Sequence, residues 1–77
     1  MAIDFKMPML GEVMEEGRIV TWHKRIGETV EKGEIILEVE TDKVVMELES
    51  PTKGVLKAIL VAEGQSVPIN TVLAVIE

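Results

Sequence analysis

The chain has 77 residues, with 8 basic and 14 acidic side chains, a single histidine and no cysteine, and its formal net charge is −6. A chain this short forms one small domain without a deep catalytic cleft, and the missing thiols exclude disulfides, thiolate zinc sites and cysteine nucleophiles. The acidic balance argues against nucleic acid or an anionic membrane as a partner, since both require a basic surface. The longest apolar runs have five residues, far fewer than the roughly 18 of a membrane-spanning helix, and no secretory signal is found. We therefore expect a cytoplasmic protein.

Glycine and proline recur at short intervals along the chain and leave no room for a long helix. Between them, side chains alternate with a period of two over 19–24, 35–40 and 44–49. This alternation is typical of strands with one buried face, so we predict about eight short strands joined by tight turns. The predicted inward positions include Ile35, Leu37, Val39, Val44, Met46 and Leu48, and the predicted outward positions include Ile36, Glu38, Glu40, Val45, Glu47 and Glu49. The glycines interpreted as turn residues are Gly11, Gly17, Gly27, Gly33, Gly54 and Gly64.

The chain also resembles itself when it is shifted by 37 residues. The shift superimposes Gly17 on Gly54, Gly27 on Gly64, Gly33 on Asn70, Ile19 on Leu56 and Val39 on Ile76. Because the matches occur at turn residues and inward strand positions, we predict two halves related by a pseudo-two-fold axis. Each half is expected to supply one four-stranded antiparallel sheet of an all-β flattened barrel or sandwich. The same shift superimposes Lys6 on Lys43.

The hydrophobic pattern selects one register for the hairpin formed by 35–40 and 44–49. With Asp42 and Lys43 as the two turn residues, Leu37 lies opposite Leu48, and the apolar side chains share one face. The same register places two glutamates opposite each other, at a cost of about 0.2–1 kcal/mol, and Asp-Lys is not a favoured pair in two-residue turns. Two interpretations compete. Either Lys43 balances its acidic neighbours, or it presents a single primary amine to a modifying enzyme.

Four segments, read together, resemble the lipoyl domain of the 2-oxo acid dehydrogenase multienzyme complexes. The match runs nearly from end to end, with ten residues from Gly33 to Lys43 and eleven from Lys43 to Gly54. The segments are 7–12 with 16–17, Trp22 with 27–30 and 32–33, 38–44, and 49–51 with Gly54.

The resemblance implies that Lys43 receives lipoic acid through an amide on Nζ, installed by a lipoate ligase or lipoyltransferase. The lipoyl group would act as a swinging arm that is reductively acylated by a thiamine-diphosphate-dependent 2-oxo acid dehydrogenase. The acyl group would pass to coenzyme A at an acyltransferase core, and dihydrolipoyl dehydrogenase would reoxidise the arm. The domain itself would have no catalytic residue and no metal.

The resemblance further implies that surface residues near the lysine help partner enzymes to recognise the domain. These are Glu40 and Asp42 beside Lys43, and the loop from Pro8 to Glu16, with Pro8, Leu10, Gly11 and Glu12. Residues 1–77 are expected to be a single, monomeric carrier domain that forms the N-terminal part of a longer acyltransferase chain.

The main alternative is a biotinyl carrier domain of a biotin-dependent carboxylase, which shares the fold and the lysine at a hairpin turn. That family has methionine on both sides of the modified lysine, whereas this chain has Asp42 and Val44. A glycine-cleavage carrier protein is normally a longer chain with additional elements. A third interpretation is a purely structural hairpin domain, as in a membrane-fusion adaptor, with the lysine unmodified.

Overall fold

The computed structural model describes residues 2–9, 15–41 and 44–77. In this described part of the chain every regular element is a strand, and no helix could cross a membrane. The strands are β1 (Ile3–Lys6), β2 (Glu16–Trp22), β3 (Thr29–Val30), β4 (Ile35–Glu40), β5 (Val45–Glu49), β6 (Gly54–Ile59), β7 (Ser66–Pro68) and β8 (Val72–Ile76).

The strands form two four-stranded antiparallel sheets, which confirms the predicted all-β class. We call the sheet with order β5-β4-β2-β7 the hairpin sheet, and the sheet with order β1-β8-β6-β3 the terminal sheet. The inward side chains of both sheets form one core. Its fully buried members include Ile19, Ile36, Leu37 and Val39 of the hairpin sheet and Val30, Leu56, Leu73, Ala74 and Ile76 of the terminal sheet.

The predicted pseudo-two-fold symmetry is present in the backbone. Positive φ angles occur at Gly27 (96°) and Gly64 (89°), and again at Gly33 (86°) and Asn70 (70°), which are the pairs that the 37-residue shift superimposes. Asparagine stands in for glycine at position 70 because its short polar side chain tolerates the left-handed conformation. Equivalent hydrogen bonds repeat as well: the Ile19 N–H donates to the Gln65 carbonyl and the Leu56 N–H to the Glu28 carbonyl, both at 2.9 Å.

The halves do not each supply a complete sheet, so that part of the prediction is wrong. The short strand β3 of the first half pairs with β6, and β7 of the second half pairs with β2. Each sheet therefore contains one strand from the other half. This exchange joins the two halves of the chain through main-chain hydrogen bonds within each sheet, in addition to their contact through the core.

The predicted outward position of Ile36 is also wrong, because β4 contains a bulge. The β4–β5 register shifts between Ile35 and Leu37, and both Ile36 and Leu37 are fully buried. A bulge adds one residue on a single strand and so breaks the two-residue alternation. The equivalent irregularity in the terminal sheet buries Leu73 and Ala74 in the same way.

The superposition of Lys6 on Lys43 has no structural counterpart. Lys6 lies opposite Val72 in the terminal sheet, in the position that Glu49 takes opposite Ile35 in the hairpin sheet. The shift of 37 residues fails here because the connection from β1 to β2 is longer than the one from β5 to β6.

Glycines have two different roles in the described residues. Gly27, Gly33 and Gly64 lie in turns with positive φ, as predicted. Gly17 lies inside β2 and Gly54 is the first residue of β6, so their interpretation as turn residues is wrong. Gly54 is required for space, since a Cβ there would lie 2.8 Å from Cγ2 of Ile76. The remaining glycine, Gly11, lies outside the described residues.

Candidate functional site

The hairpin formed by β4 and β5 has the register that the sequence predicts. Leu37 lies opposite Leu48 and Val39 opposite Met46. Leu37 and Val39 are fully buried, and Leu48 is 5% exposed. Burial of this apolar face anchors the hairpin in the core and fixes which residues can form its connection.

Thr41 and Val44 close the end of the hairpin. The Thr41 N–H donates to the Val44 carbonyl at 2.8 Å, and the Thr41 hydroxyl donates to the same oxygen at 3.3 Å. This bond is the closing interaction of a hairpin with a two-residue connection. Asp42 and Lys43 are those two residues in the chain, and both lie outside the described residues. The structure therefore defines the residues on either side of Asp42 and Lys43.

The residues that follow this connection are exposed to solvent, so the predicted inward position of Val44 is wrong. Val44 and Val45 are 51% and 50% exposed, and Glu40 is half-buried. Leu48, which belongs to the core, lies several residues further along β5. A group attached at the connection would therefore not have to displace the core.

Glu40 forms an ion pair with Arg18, which sequence reasoning missed. The two residues lie directly opposite each other on β4 and β2. The Arg18 Nη2 and Nε groups donate to Oε1 of Glu40 at 2.8 and 3.1 Å. The residues are far apart in the chain, so only knowledge of the β2–β4 register could have found the pair.

A pair of acidic side chains lies further from the connection, on the sheet face that carries Glu40. Glu38 lies opposite Glu47, as the predicted register requires. The Nε2 atom of His23 lies 3.1 Å from Oε2 of Glu38, so His23 is an exposed partner of an acidic side chain. Trp22 is half-buried, and its Nε1–H donates to the Val61 carbonyl at 3.0 Å.

Three carboxylate and ammonium groups have shifted pKa values, each because of a hydrogen bond. The bond from Lys24 lowers the pKa of Glu34, and the same bond raises the pKa of Lys24. The pKa of Glu63 is lowered because its carboxylate accepts the Trp22 N–H and the Thr21 hydroxyl. The three groups with shifted pKa values therefore take part in hydrogen bonds that link turns to the ends of strands. Among the described residues, no three acidic or imidazole side chains are grouped so as to hold a metal ion.

Residues at the two ends of the predicted recognition loop are hydrogen-bonded to the turn between β7 and β8. The Asn70 N–H donates to the Met7 carbonyl at 2.7 Å, and the Ile69 N–H donates to the Glu15 carbonyl at 3.1 Å. Pro8 is half-buried, and Met9 beside it is 58% exposed. Leu10, Gly11 and Glu12 lie outside the described residues. In the part of the chain that is described, no hydrogen bond joins this loop to Glu40.

The sequence matches a protein family described as "Biotin-requiring enzyme" over residues 3–76. It is 43% identical over 76 residues to the dihydrolipoyllysine-residue acetyltransferase component of the acetoin cleaving system of Bacillus subtilis. It is 45% identical over 67 residues to the dihydrolipoyllysine-residue succinyltransferase component of the 2-oxoglutarate dehydrogenase complex of Haemophilus influenzae. These matches cover 99% and 87% of this chain but only 19% and 16% of the relatives. The chain thus spans about a fifth of the length of such relatives.

The structure is similar to a solved domain of comparable size. This is the lipoyl domain of the 2-oxoglutarate dehydrogenase complex from Azotobacter vinelandii, determined by NMR. The two chains have a TM-score of 0.81 and 40% sequence identity, and the match covers 97% of this chain and 95% of the other. The likeness therefore extends over the whole fold, including both sheets.

Proposed function

The chain belongs to the lipoyl domains of the biotin/lipoyl family, and from this premise we propose that Lys43 is the lysine that carries its lipoyl group. In this family, lipoic acid is attached covalently to a lysine, and the domain acts as a non-catalytic carrier. The observation that supports Lys43 is the bond from the Thr41 N–H to the Val44 carbonyl, because it leaves only Asp42 and Lys43 to form the connection.

The described surroundings of the connection suit a lysine that carries an amide-linked group. The flanking Val44 and Val45 are exposed, so the attached chain would extend into solvent. The nearby Glu40 is already paired with Arg18, so loss of the lysine charge would not leave this carboxylate without a counter-ion. When bound, lipoic acid supplies a dithiolane that can take up and release acyl groups and electrons. The protein contributes a closed and firmly anchored base for it.

We further propose that the domain is part of the acyltransferase component of a 2-oxo acid dehydrogenase complex. Relatives from acetoin, 2-oxoglutarate and pyruvate systems have identities of 43%, 45% and 43%. The proposal therefore names the class of complex and no particular substrate. Its proposed partners are a lipoate ligase or lipoyltransferase, a thiamine-diphosphate-dependent 2-oxo acid dehydrogenase, the acyltransferase core and dihydrolipoyl dehydrogenase. The cytoplasmic location and the monomeric state stay predictions.

The biotinyl alternative has less support. The description of the matching family includes biotin, but the named relatives are dihydrolipoyllysine acyltransferases and the solved neighbour is a lipoyl domain. The absence of methionine on both sides of Lys43 agrees with this.

Intact mass spectrometry tests the attachment site. The chain is incubated with lipoate ligase, ATP and lipoic acid, and in parallel with biotin ligase, ATP and biotin. We expect one lipoyl adduct, which is absent from Lys43→Arg and retained in the matched control Lys57→Arg, since Lys57 is an exposed lysine on β6.

A lipoyl adduct that persists in Lys43→Arg would contradict the proposed site. A biotinyl adduct would instead favour the carboxylase family. Amide NMR spectra of Lys43→Arg should keep the dispersion of the wild-type chain, because a residue of the connection contributes little to the core. Loss of that dispersion would show that Lys43 has a structural role.

A further inference from the structure

Arg18 fixes the Glu40 carboxylate at the end of β4, two residues before the first residue of the hairpin connection. Two donors of one guanidinium, Nη2 and Nε, bind the same oxygen of Glu40 at 2.8 and 3.1 Å. Because the guanidinium is planar and its donors have a fixed arrangement, two such bonds restrict the orientation of both side chains. The side chains are 47% and 43% exposed, so an enzyme that approaches the connection can reach them.

We propose that Arg18 is a positioning residue for recognition of the hairpin by a partner enzyme, and that it acts by holding Glu40, three residues before Lys43 in the chain, in one orientation. The inference rests on the proposed function, since it concerns enzymes that act at Lys43. It adds a residue from a different strand to the surface that such an enzyme meets.

The position of Arg18 in the sheet supports this role. Val45, Glu40, Arg18 and Ser66 are consecutive cross-strand neighbours on β5, β4, β2 and β7. This row spans the hairpin sheet next to the bond between Thr41 and Val44. An enzyme that encloses the connection from this side therefore meets Glu40 and Arg18 together.

The ion pair of Arg18 and Glu40 is expected to contribute little to the stability of the fold. Ion pairs between exposed side chains contribute little to folding free energy. A glutamate without a partner samples several rotamers, and binding must then restrict them. Arg18 imposes that restriction in the free domain, and it also balances the charge of Glu40 beside the acidic pair of Glu38 and Glu47.

The chain offers a matched control at the opposite end of β4. Lys24 and Glu34 form an ion pair of the same length, 2.8 Å, and are likewise partly exposed. Glu34 precedes β4, whereas Glu40 ends it, so the two pairs are separated by about 20 Å of extended chain at 3.3 Å per residue. Loss of the Lys24 pair removes a similar interaction far from the connection.

The test measures reductive acylation of the lipoylated domain by a 2-oxo acid dehydrogenase that acylates the wild type. The variants are Arg18→Gln, Arg18→Lys, Glu40→Gln, the double variant Arg18→Gln/Glu40→Gln, and the control Lys24→Gln. We expect Arg18→Gln to lower kcat/KM about three- to tenfold through KM, with kcat unchanged. Arg18→Lys should recover part of this loss, and Lys24→Gln should stay within about twofold of the wild type.

The double variant tests whether Arg18 acts through Glu40. If it does, Arg18→Gln causes no further loss once Glu40 is glutamine. Equal kinetics for Arg18→Gln and Lys24→Gln would overturn the inference, and so would losses that multiply in the double variant. Amide NMR spectra check that each variant is folded. Failure of the wild-type chain to become lipoylated is a separate result, which removes the proposed function and this inference with it.

Discussion

Replacement of Gly54 by alanine should destabilise the domain by crowding. The added Cβ would lie 2.8 Å from Cγ2 of Ile76 and 3.0 Å from the backbone oxygen of Glu77. Ile76 is fully buried, and the Glu77 backbone exchanges hydrogen bonds with Val55 at 2.9 and 3.1 Å. Neither neighbour can move without disturbing the core or the sheet. Overpacking of this kind costs about 1–3 kcal/mol.

The cost is measurable as a change in Tm. In a domain of this size, 1 kcal/mol corresponds to a shift of about 4–8 °C, so Gly54→Ala should lower Tm by roughly 4–24 °C. Thermal unfolding followed by circular dichroism gives the value. The control is Gly64→Ala, whose Cβ meets nothing within 4 Å but whose φ is +89°. It should lose about 1–2 kcal/mol through backbone strain alone.

A second substitution separates crowding from strain. Ile76→Leu moves the branch of the side chain from Cβ to Cγ, so the methyl nearest to position 54 is removed. Combined with Gly54→Ala, it should recover part of the lost stability, whereas combined with Gly64→Ala it should not. The reasoning is refuted if Gly54→Ala melts at the wild-type temperature, or if Ile76→Leu is additive with both alanines within about 0.5 kcal/mol.

Three further substitutions test the core, a turn and an exposed carboxylate. Leu56→Ala should lower the free energy of unfolding by about 2–5 kcal/mol, because it leaves a cavity in the core. Urea titrations measure this loss, and a loss below about 1 kcal/mol would contradict the full burial of Leu56. Asn70→Ala should cost about 1–2 kcal/mol because its φ is 70°, whereas Asn70→Gly should melt near the wild-type temperature. The pKa of Glu63 is lowered in the folded chain, so its stabilising effect is present above its unfolded pKa of about 4.3 and is lost as the pH falls below that value. Glu63→Gln should therefore lose less stability than the wild type between pH 7 and pH 3, and equal losses would count against the hydrogen bonds to Glu63.

The sequence allowed the strands and the internal symmetry to be predicted, because both depend on local patterns. Alternation indicated the longer strands, and the pairing of Gly33 with Asn70 indicated equivalent turns. The bulge at Ile36 was missed because it depends on how β4 pairs with β5. The exchange of β3 and β7 was missed for a different reason. With two and three residues, these strands are too short for alternation to show which neighbour they join.

The register of the hairpin at the candidate site was predictable because burial of apolar side chains determines it. Leu37 and Val39 must face the core together with Met46 and Leu48, and this requirement leaves one register for the hairpin. The ion pair of Glu40 was not predictable in that way. Its partner Arg18 lies on a strand whose pairing with β4 shifts between Ile19 and Thr21, and no pattern in the sequence reveals that shift.

The symmetry of the fold also explains why two similar halves offer a single hairpin connection of this kind, the one proposed to carry the lipoyl group. The pair Val39 and Met46 in the hairpin sheet corresponds to the pair Ile76 and Ile3 in the terminal sheet. In the hairpin sheet, the chain continues from β4 to β5 through a two-residue connection. In the terminal sheet, the corresponding strands β8 and β1 are the last and first of the domain, so no turn joins them. The core packs both pairs alike, and only chain connectivity gives the hairpin sheet a connection between these strands, the one that contains Lys43.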